Sequence, residues 1–446
     1  MSDDLPKGWA SARLEEIVTK KKGKKPAVLR DTPADGFVPY LDIHAIEKNV
    51  VRQFAEVKSS KIASKDDLFV VWDGARSGWI GGGITGAIGS TIVALTAQTV
   101  ESAYVRHFIA GQFQNLNTNT RGTGIPHVDP EVFWNLEVPL APLDEQRRIV
   151  AKLEKLFGKV DAGQQRLAKI PVLLKRFRQS VLAAACCGRL TADWREAATP
   201  QDLISPELAN PDEISDVEET VEVPEAWRWL PLKVVCDPDR SICYGVIKLG
   251  VEVPDGIPCL RTSDVKPLLI DTTGVKIISP AISDKYQRTL LRGGEVLVSV
   301  RGTLGGVAVV PDSLRGWNIS REVAVVPIKG VVPEFIAFWI ASLRCQNWLS
   351  GVAKGVAYTG INIADLKLLP IALPSLAEQQ EIVRRVESLF ALADQLELRL
   401  VQARGQVDKL TPSLLARAFA GKLVPQNPKD EPASDLLERI NRTRQP

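Results

Sequence analysis

Apolar residues recur along two stretches of the chain at alternating spacings of four and three. In the first they fall at Ile149, Leu153, Leu156, Val160, Leu167, Ile170, Leu174, Phe177 and Val181, with Gly163 completing the rhythm. In the second they fall at Ile382, Val386, Leu389, Ala393, Leu396, Leu400, Ala403, Val407, Leu410 and Leu414. A seven-residue apolar repeat draws one stripe down a helix and makes the seam of a coiled coil. Two stripes in one chain are expected to pack on each other. Ser375-Leu-Ala-Glu378 predicts a capping box at the entry to the second helix. Gly188 and Gly421 predict helix stops, and Pro171 and Pro412 predict kinks or breaks.

The two stretches are copies of one another. Leu143–Leu190 aligns with Leu376–Leu423 at a shift of 233 without a gap, and 17 of the 48 positions are identical, Glu145 and Gln146 among them. The segments ahead of them also match. Leu5-Pro-Lys-Gly-Trp9 answers Val223-Pro-Glu-Ala-Trp227, and Val38-Pro-Tyr-Leu41 answers Ile257-Pro-Cys-Leu260. The expected order is a globular domain at 1–142, a helix at 143–188, an acidic linker at 189–222, a second globular domain at 223–375, a distal helix at 376–421 and a tail at 422–446. Short alternating runs predict strands at Leu68–Trp72, Ser90–Thr96, Glu295–Val300 and Glu322–Pro327, and helices at Tyr104–Gln114 and Pro333–Ser342. The fold class is therefore mixed α/β (α+β), with no strand–helix alternation of a doubly wound parallel sheet. The helices diverge far less than the globular parts, as if one job were done twice and another in two ways.

Charge sharpens this picture. The chain carries 56 Lys and Arg against 53 Asp and Glu, a formal +3. Ten of the acids lie at 196–226, where no Lys or Arg occurs; without them 43 acids face 56 bases, or +13. An acidic stretch thus masks a basic body. No apolar run approaches the ~18 residues of a membrane span, and the polar, acidic start has no signal-peptide pattern, so a soluble cytoplasmic protein is expected. Six cysteines without a Cys-x-x-Cys pair and three histidines offer no zinc site.

Val138-Pro-Leu-Ala-Pro-Leu-Asp-Glu-Gln-Arg-Arg-Ile-Val150 and its echo Leu373-Pro-Ser-Leu-Ala-Glu-Gln-Gln-Glu-Ile-Val383 resemble the helix entry of type I restriction–modification specificity subunits. So do Gly188-Arg-Leu190, Leu415-Ala-Arg-Ala-Phe-Ala-Gly-Lys-Leu423 and the opening Leu-Pro-x-Gly-Trp. The resemblance spans nearly the whole chain. It implies two DNA target recognition domains, each reading half of a split sequence, and two long antiparallel helices acting as a coiled-coil spacer. It also implies partners: double-stranded DNA, two methyltransferase subunits and restriction–translocase subunits. S-adenosylmethionine, ATP and magnesium would then serve those partners, and this chain would hold no cofactor and no catalytic residue.

Motifs that suggest chemistry are weak beside this. Gly81-Gly-Gly-Ile-Thr-Gly86 has dinucleotide-loop spacing, but the residues that follow read as a strand, not the helix such a site needs. Asp42, Glu56 and Lys58 imitate a magnesium nuclease, although the repeat has Arg261 in place of Asp42. That nuclease, and a coiled-coil scaffold without DNA affinity, are the alternative readings. Candidate DNA contacts are the lysines Lys20, Lys21, Lys22, Lys24 and Lys25, with Arg76, Ser77, Arg121, Thr123 and His127 in the first domain. In the second they are Arg301, Thr303, Lys354 and Tyr358. Each loop sets a polar or cationic group beside glycine, which lets backbone approach phosphate closely.

Overall fold

In a computed structural model the apolar stripes become two long helices, Leu143–Cys186 and Leu376–Asp408. The structure describes residues 5–97, 99–122, 124–216, 219, 221–302, 304–353 and 360–444. Contacts group the chain into two units: Met1–Ala168 with Val401–Pro446, and Lys169–Leu400. Each unit therefore holds part of both long helices.

Within the first unit the pairing is antiparallel: Gln164 donates to Asp408 at 3.3 Å, and Arg404 donates to the Leu167 carbonyl at 3.2 Å. The second bond has a local cause. Pro171 has no N–H and leaves the carbonyl four residues earlier without its helical donor. Arg404 supplies that donor, and the helix runs through Pro171 unbroken, against the expected break. Pro412 stands instead in the first turn of a new helix, Leu410–Phe419, where no N–H is required. In the second unit the pairing is again antiparallel. Arg178 reaches Glu397 at 3.1 Å, and further on Arg385 donates to the Leu190 carbonyl at 2.8 Å.

All ten stripe positions of the first helix are buried or half-buried. In the second, Ile382, Val386, Ala393 and Leu400 are buried and Leu389, Ala403, Val407 and Leu414 half-buried. Leu396 and Leu410 are corrections, being 40% and 45% exposed. Leu410 lies in a groove with Gly163, which has no side chain to cover it. Leu396 sits between the buried Ala393 and Leu400, at the edge of a stripe that drifts ~20° per heptad on a straight helix.

The globular part of each unit uses the same frame. In the first, an antiparallel sheet runs in the order Val18–Lys22, Ile92–Ala97, Leu68–Val71, Ile80–Gly82; in the second, Cys243–Tyr244, Val323–Val326, Val296–Ser299, Val307–Val309. A two-stranded ribbon precedes each long helix, Ala10–Arg13 with Glu137–Leu140 and Arg228–Pro231 with Pro370–Leu373. A second sheet carries a parallel pair in each unit, Tyr40 opposite Ala87 and Cys259 opposite Asn318. The fold is thus mixed α/β and internally repeated. Two expectations change. The acidic stretch is no free tether: Leu208, Val221 and Val223 pack on the second unit's core, and the Asn210 amide donates to the Lys233 and Cys236 carbonyls. Residues 422–446 hold a helix, Ala433–Arg444, which buries Ala433, Leu436 and Ile440 in the first unit's core.

The helices Ser102–Gly111 and Pro333–Ala341 fill equivalent places, with His107 edge-on to Phe157 and Phe338 edge-on to Phe390. His107 is 7% exposed, and its Nε2 has no hydrogen-bond partner. Burial, aided by the Arg106 charge, pushes its pKa down to about 4. The neutral ring is thus favoured by folding, and its contribution is complete above the ordinary imidazole range. It is lost as pH falls toward 4. His107→Phe should flatten this loss and raise stability by about 1–3 kcal/mol. Thermal melts of both proteins at pH 7 and pH 5 check it; an equal loss between the two pH values in the variant would refute it.

Candidate nucleic-acid interface

The residues that repeat most faithfully build the frame beneath the interface. Trp9 Nε1 donates to Glu145 at 3.1 Å, and Trp227 Nε1 donates to Glu378 at 3.0 Å. The next residue does the same work twice. Gln146 donates to the Ala141 carbonyl at 2.8 Å and accepts from the Glu101 N–H at 3.0 Å. Gln379 donates to the Pro374 carbonyl at 3.0 Å and accepts from the Val332 N–H at 2.8 Å. The Glu-Gln pair therefore fastens each long helix to its globular part. Only half of the expected capping box forms: Ser375 accepts from the Glu378 N–H at 3.2 Å, while the Glu378 carboxylate turns to Trp227, Thr191 and Arg195. The helix stops are matched too. Gly188 and Gly421 have φ of +71° and +67°, and a Cβ would meet Pro224 at 2.5 Å and Pro6 at 2.3 Å. Those prolines are the second residues of the two opening motifs.

On this frame the exposed chemistry differs. Lys20, Lys21 and Lys22 lie on the edge strand Val18–Lys22, opposite Leu95, Ala94 and Val93. Strand alternation sets Lys20 and Lys22 on one face, over Trp134 at 4.6 Å and Trp72 at 5.7 Å. Lys21 points the other way and donates to the Ile62 carbonyl at 2.9 Å. Lys24 and Lys25 are exposed. The strand ends at Gly23, where a Cβ would stand 2.0 Å from the Gly89 carbonyl oxygen. Lys22 also reaches Asp73 at 3.3 Å, and the other Asp73 oxygen lies 2.8 Å from His127 Nδ1. A β-bridge joins Asp73 to His127. Sequence reasoning missed Asp73 as the hub, because its partners stand more than fifty residues away on either side.

Other candidates fare differently. Ser77 is fully buried, its hydroxyl donating to the Gly74 carbonyl and, at 3.1 Å, to that of Pro126. It ties the loop and has no face for DNA, a correction that its glycine-flanked setting concealed. Arg76 is exposed and pairs with Glu47 at 3.0 Å. Arg121 pairs with Asp129 at 2.7 Å and Glu131 at 3.2 Å, which hold its pKa up. Thr123, Thr303, Lys354 and Tyr358 lie outside the described residues. Asp42 is a helix cap: one oxygen accepts from the Ala45 N–H and the other from Arg52, each at 2.7 Å. Among the described residues no cluster of three His, Cys, Asp or Glu could hold a metal ion, and no helix is long and apolar enough to cross a membrane.

In the second unit the place of Asp73 belongs to Arg301, joined by the same kind of β-bridge to Gly360. Its guanidinium lies over the Tyr244 ring at 5.1 Å, and the Tyr244 hydroxyl donates to the Ile361 carbonyl at 2.9 Å. Strand register makes Tyr244 the counterpart of Lys22: Lys22 faces Val93, whose neighbour is Val70, and Tyr244 faces Ala324, whose neighbour is Val298. The same three backbone positions thus carry Lys22, Asp73 and His127 in one unit and Tyr244, Arg301 and Gly360 in the other.

Comparison with known proteins agrees with this architecture. The family model described as type I restriction modification DNA specificity domain matches residues 6–172 and 252–402. The EcoBI specificity subunit of Escherichia coli is 36% identical over 348 residues, covering 76% of this chain and 71% of that protein. The EcoKI specificity subunit of E. coli K12 is 27% identical, covering 99% and 96%. The solved HsdS subunit of Thermoanaerobacter tengcongensis shares the fold with a TM-score of 0.59 at 22% identity, covering 94% of this chain and 98% of that one. With two matched segments, each lying on one copy of the repeated frame, this chain belongs to the type I restriction–modification DNA specificity family.

Proposed function

We propose that this chain, acting in the cytoplasm, reads a two-part double-stranded DNA target, one part with each unit, and lends that choice to enzymes it carries. The observation that supports this most is the contrast within the repeat. Helix entry, helix stop and sheet order are held constant, while the side chain at one bridge changes from a half-buried carboxylate to an exposed guanidinium. A scaffold without DNA affinity has no use for that divergence. A magnesium nuclease at Asp42 is disfavoured because both carboxylate oxygens are engaged as a cap and an ion pair.

Methylation and ATP-driven steps then belong to methyltransferase and restriction partners, with S-adenosylmethionine, ATP and magnesium bound there. The cationic strand supplies phosphate contacts, which set affinity and its salt dependence but carry no sequence information. Replacing Lys20, Lys22, Lys24 and Lys25 with alanine, in complex with a methyltransferase subunit, should weaken DNA binding at least about ten-fold. Each lost phosphate contact should lower the log–log salt slope by about 0.9, with target preference retained. Unchanged affinity and slope would remove this strand from the interface.

A further inference from the structure

We infer that Arg301 reads a guanine in the half-site of the second unit; this rests on the reading of the chain as a sequence reader. Register places Arg301, Tyr244 and Gly360 where the first unit has Asp73, Lys22 and His127. The position is therefore part of the repeated frame, and its chemistry differs between the two copies. That is the behaviour of a specificity determinant.

The geometry singles out this arginine. Arg76 and Arg121 of the first unit are neutralised by carboxylates. Among the described residues no carboxylate pairs with Arg301; its guanidinium lies over the Tyr244 ring at 5.1 Å instead. Tyr244 is itself anchored through its hydroxyl to the Ile361 carbonyl, and Ile361 N–H donates to the Val300 carbonyl at 2.8 Å. The platform and the strand end that carries Arg301 are thus one hydrogen-bonded block. On the other side Gly360 offers no side chain: a Cβ there would stand 3.1 Å from Arg301 Cγ. A guanidinium placed over a ring and paired with no carboxylate among the described residues has a forked donor edge to offer, and that fork matches O6 and N7 of guanine in the major groove. The first unit cannot make this fork. Its hub is an acceptor already shared between Lys22 and His127, so the two half-sites are to be read by different chemistry.

The test uses the chain assembled with its methyltransferase subunits and duplexes carrying every single-base change of the mapped target. Wild type should lose about ten- to a hundred-fold at one G·C pair of one half-site. Replacing that guanine with 7-deazaguanine, which lacks the N7 acceptor, should weaken wild type and leave Arg301→Gln unaffected. Arg301→Gln and Arg301→Lys should relax preference at that pair alone. Tyr244→Phe, which keeps the ring and loses the anchor, should relax it partly. The other half-site, read unchanged, certifies that each variant is folded. Equal weakening at all positions would make Arg301 a phosphate contact and overturn the inference, as would unaltered preference. A wild-type complex with no two-part target would instead refute the underlying reading.

Discussion

Glu378→Ala should cost the second unit about 3–5 kcal/mol, the loss expected when one partner of a buried ion pair is removed. Glu378 is 1% exposed and accepts from Trp227 at 3.0 Å, Thr191 at 2.7 Å and Arg195. Its removal leaves the Trp227 indole N–H without an acceptor and the largely buried Arg195 guanidinium without its counter-charge, held only by the Gly188 carbonyl and the Thr191 hydroxyl. The loss approaches the whole stability of an ordinary domain, ~5–15 kcal/mol. The identical residue in the first unit carries less. Glu145 accepts from Trp9, but its other oxygen is buried without a partner, and burial holds its pKa up. The places of Thr191 and Arg195 are taken there by Val424 and Pro428. Glu145→Ala should therefore cost about 1 kcal/mol. Urea unfolding of both variants measures this; equal losses would show that the Arg195 network adds nothing.

Adding seven residues to each long helix should abolish modification of the natural target and create a new one whose unspecified gap is longer by about 3 bp. Seven residues restore the heptad stripe and lengthen a helix by ~10.5 Å, against ~3.4 Å per base pair. Methylation mapping of cells carrying the seven-residue form reads the gap directly, and a gap of the original length would show that the helices do not set it.

How far the sequence reaches depends on the range of the interaction. The stripes were legible because a helix repeats every few residues, so its buried face is written locally; Ile149, Leu153, Val160, Ile382, Val386 and Leu400 all fall where the spacing puts them. Leu410 failed because exposure there depends on the opposite helix, on Gly163 above all, and Leu396 because the stripe drifts along a straight helix. The recurring Glu-Gln pair was visible as a repeat, but its partners were not. Trp9 and Trp227 recur just as faithfully, and that shared recurrence was the available signal.

The interface was less legible. Lys22, Asp73 and His127 meet through strand pairing and a bridge between distant segments, so local sequence joins only some of them. Ser77 looked like an exposed polar residue beside glycine, yet its hydroxyl serves two carbonyls inside the loop. The equivalence of Lys22 with Tyr244 emerges only from strand register, since the two lie in unrelated local sequence.

Two readers of different chemistry mounted on one repeated frame should select two different half-sites at a fixed separation. Methylation mapping of DNA from cells expressing this chain with methyltransferase partners tests that arrangement most directly. The result expected is a two-part target, two short and dissimilar sequences split by a gap of fixed length. A single uninterrupted target, or modification without sequence preference, would contradict it.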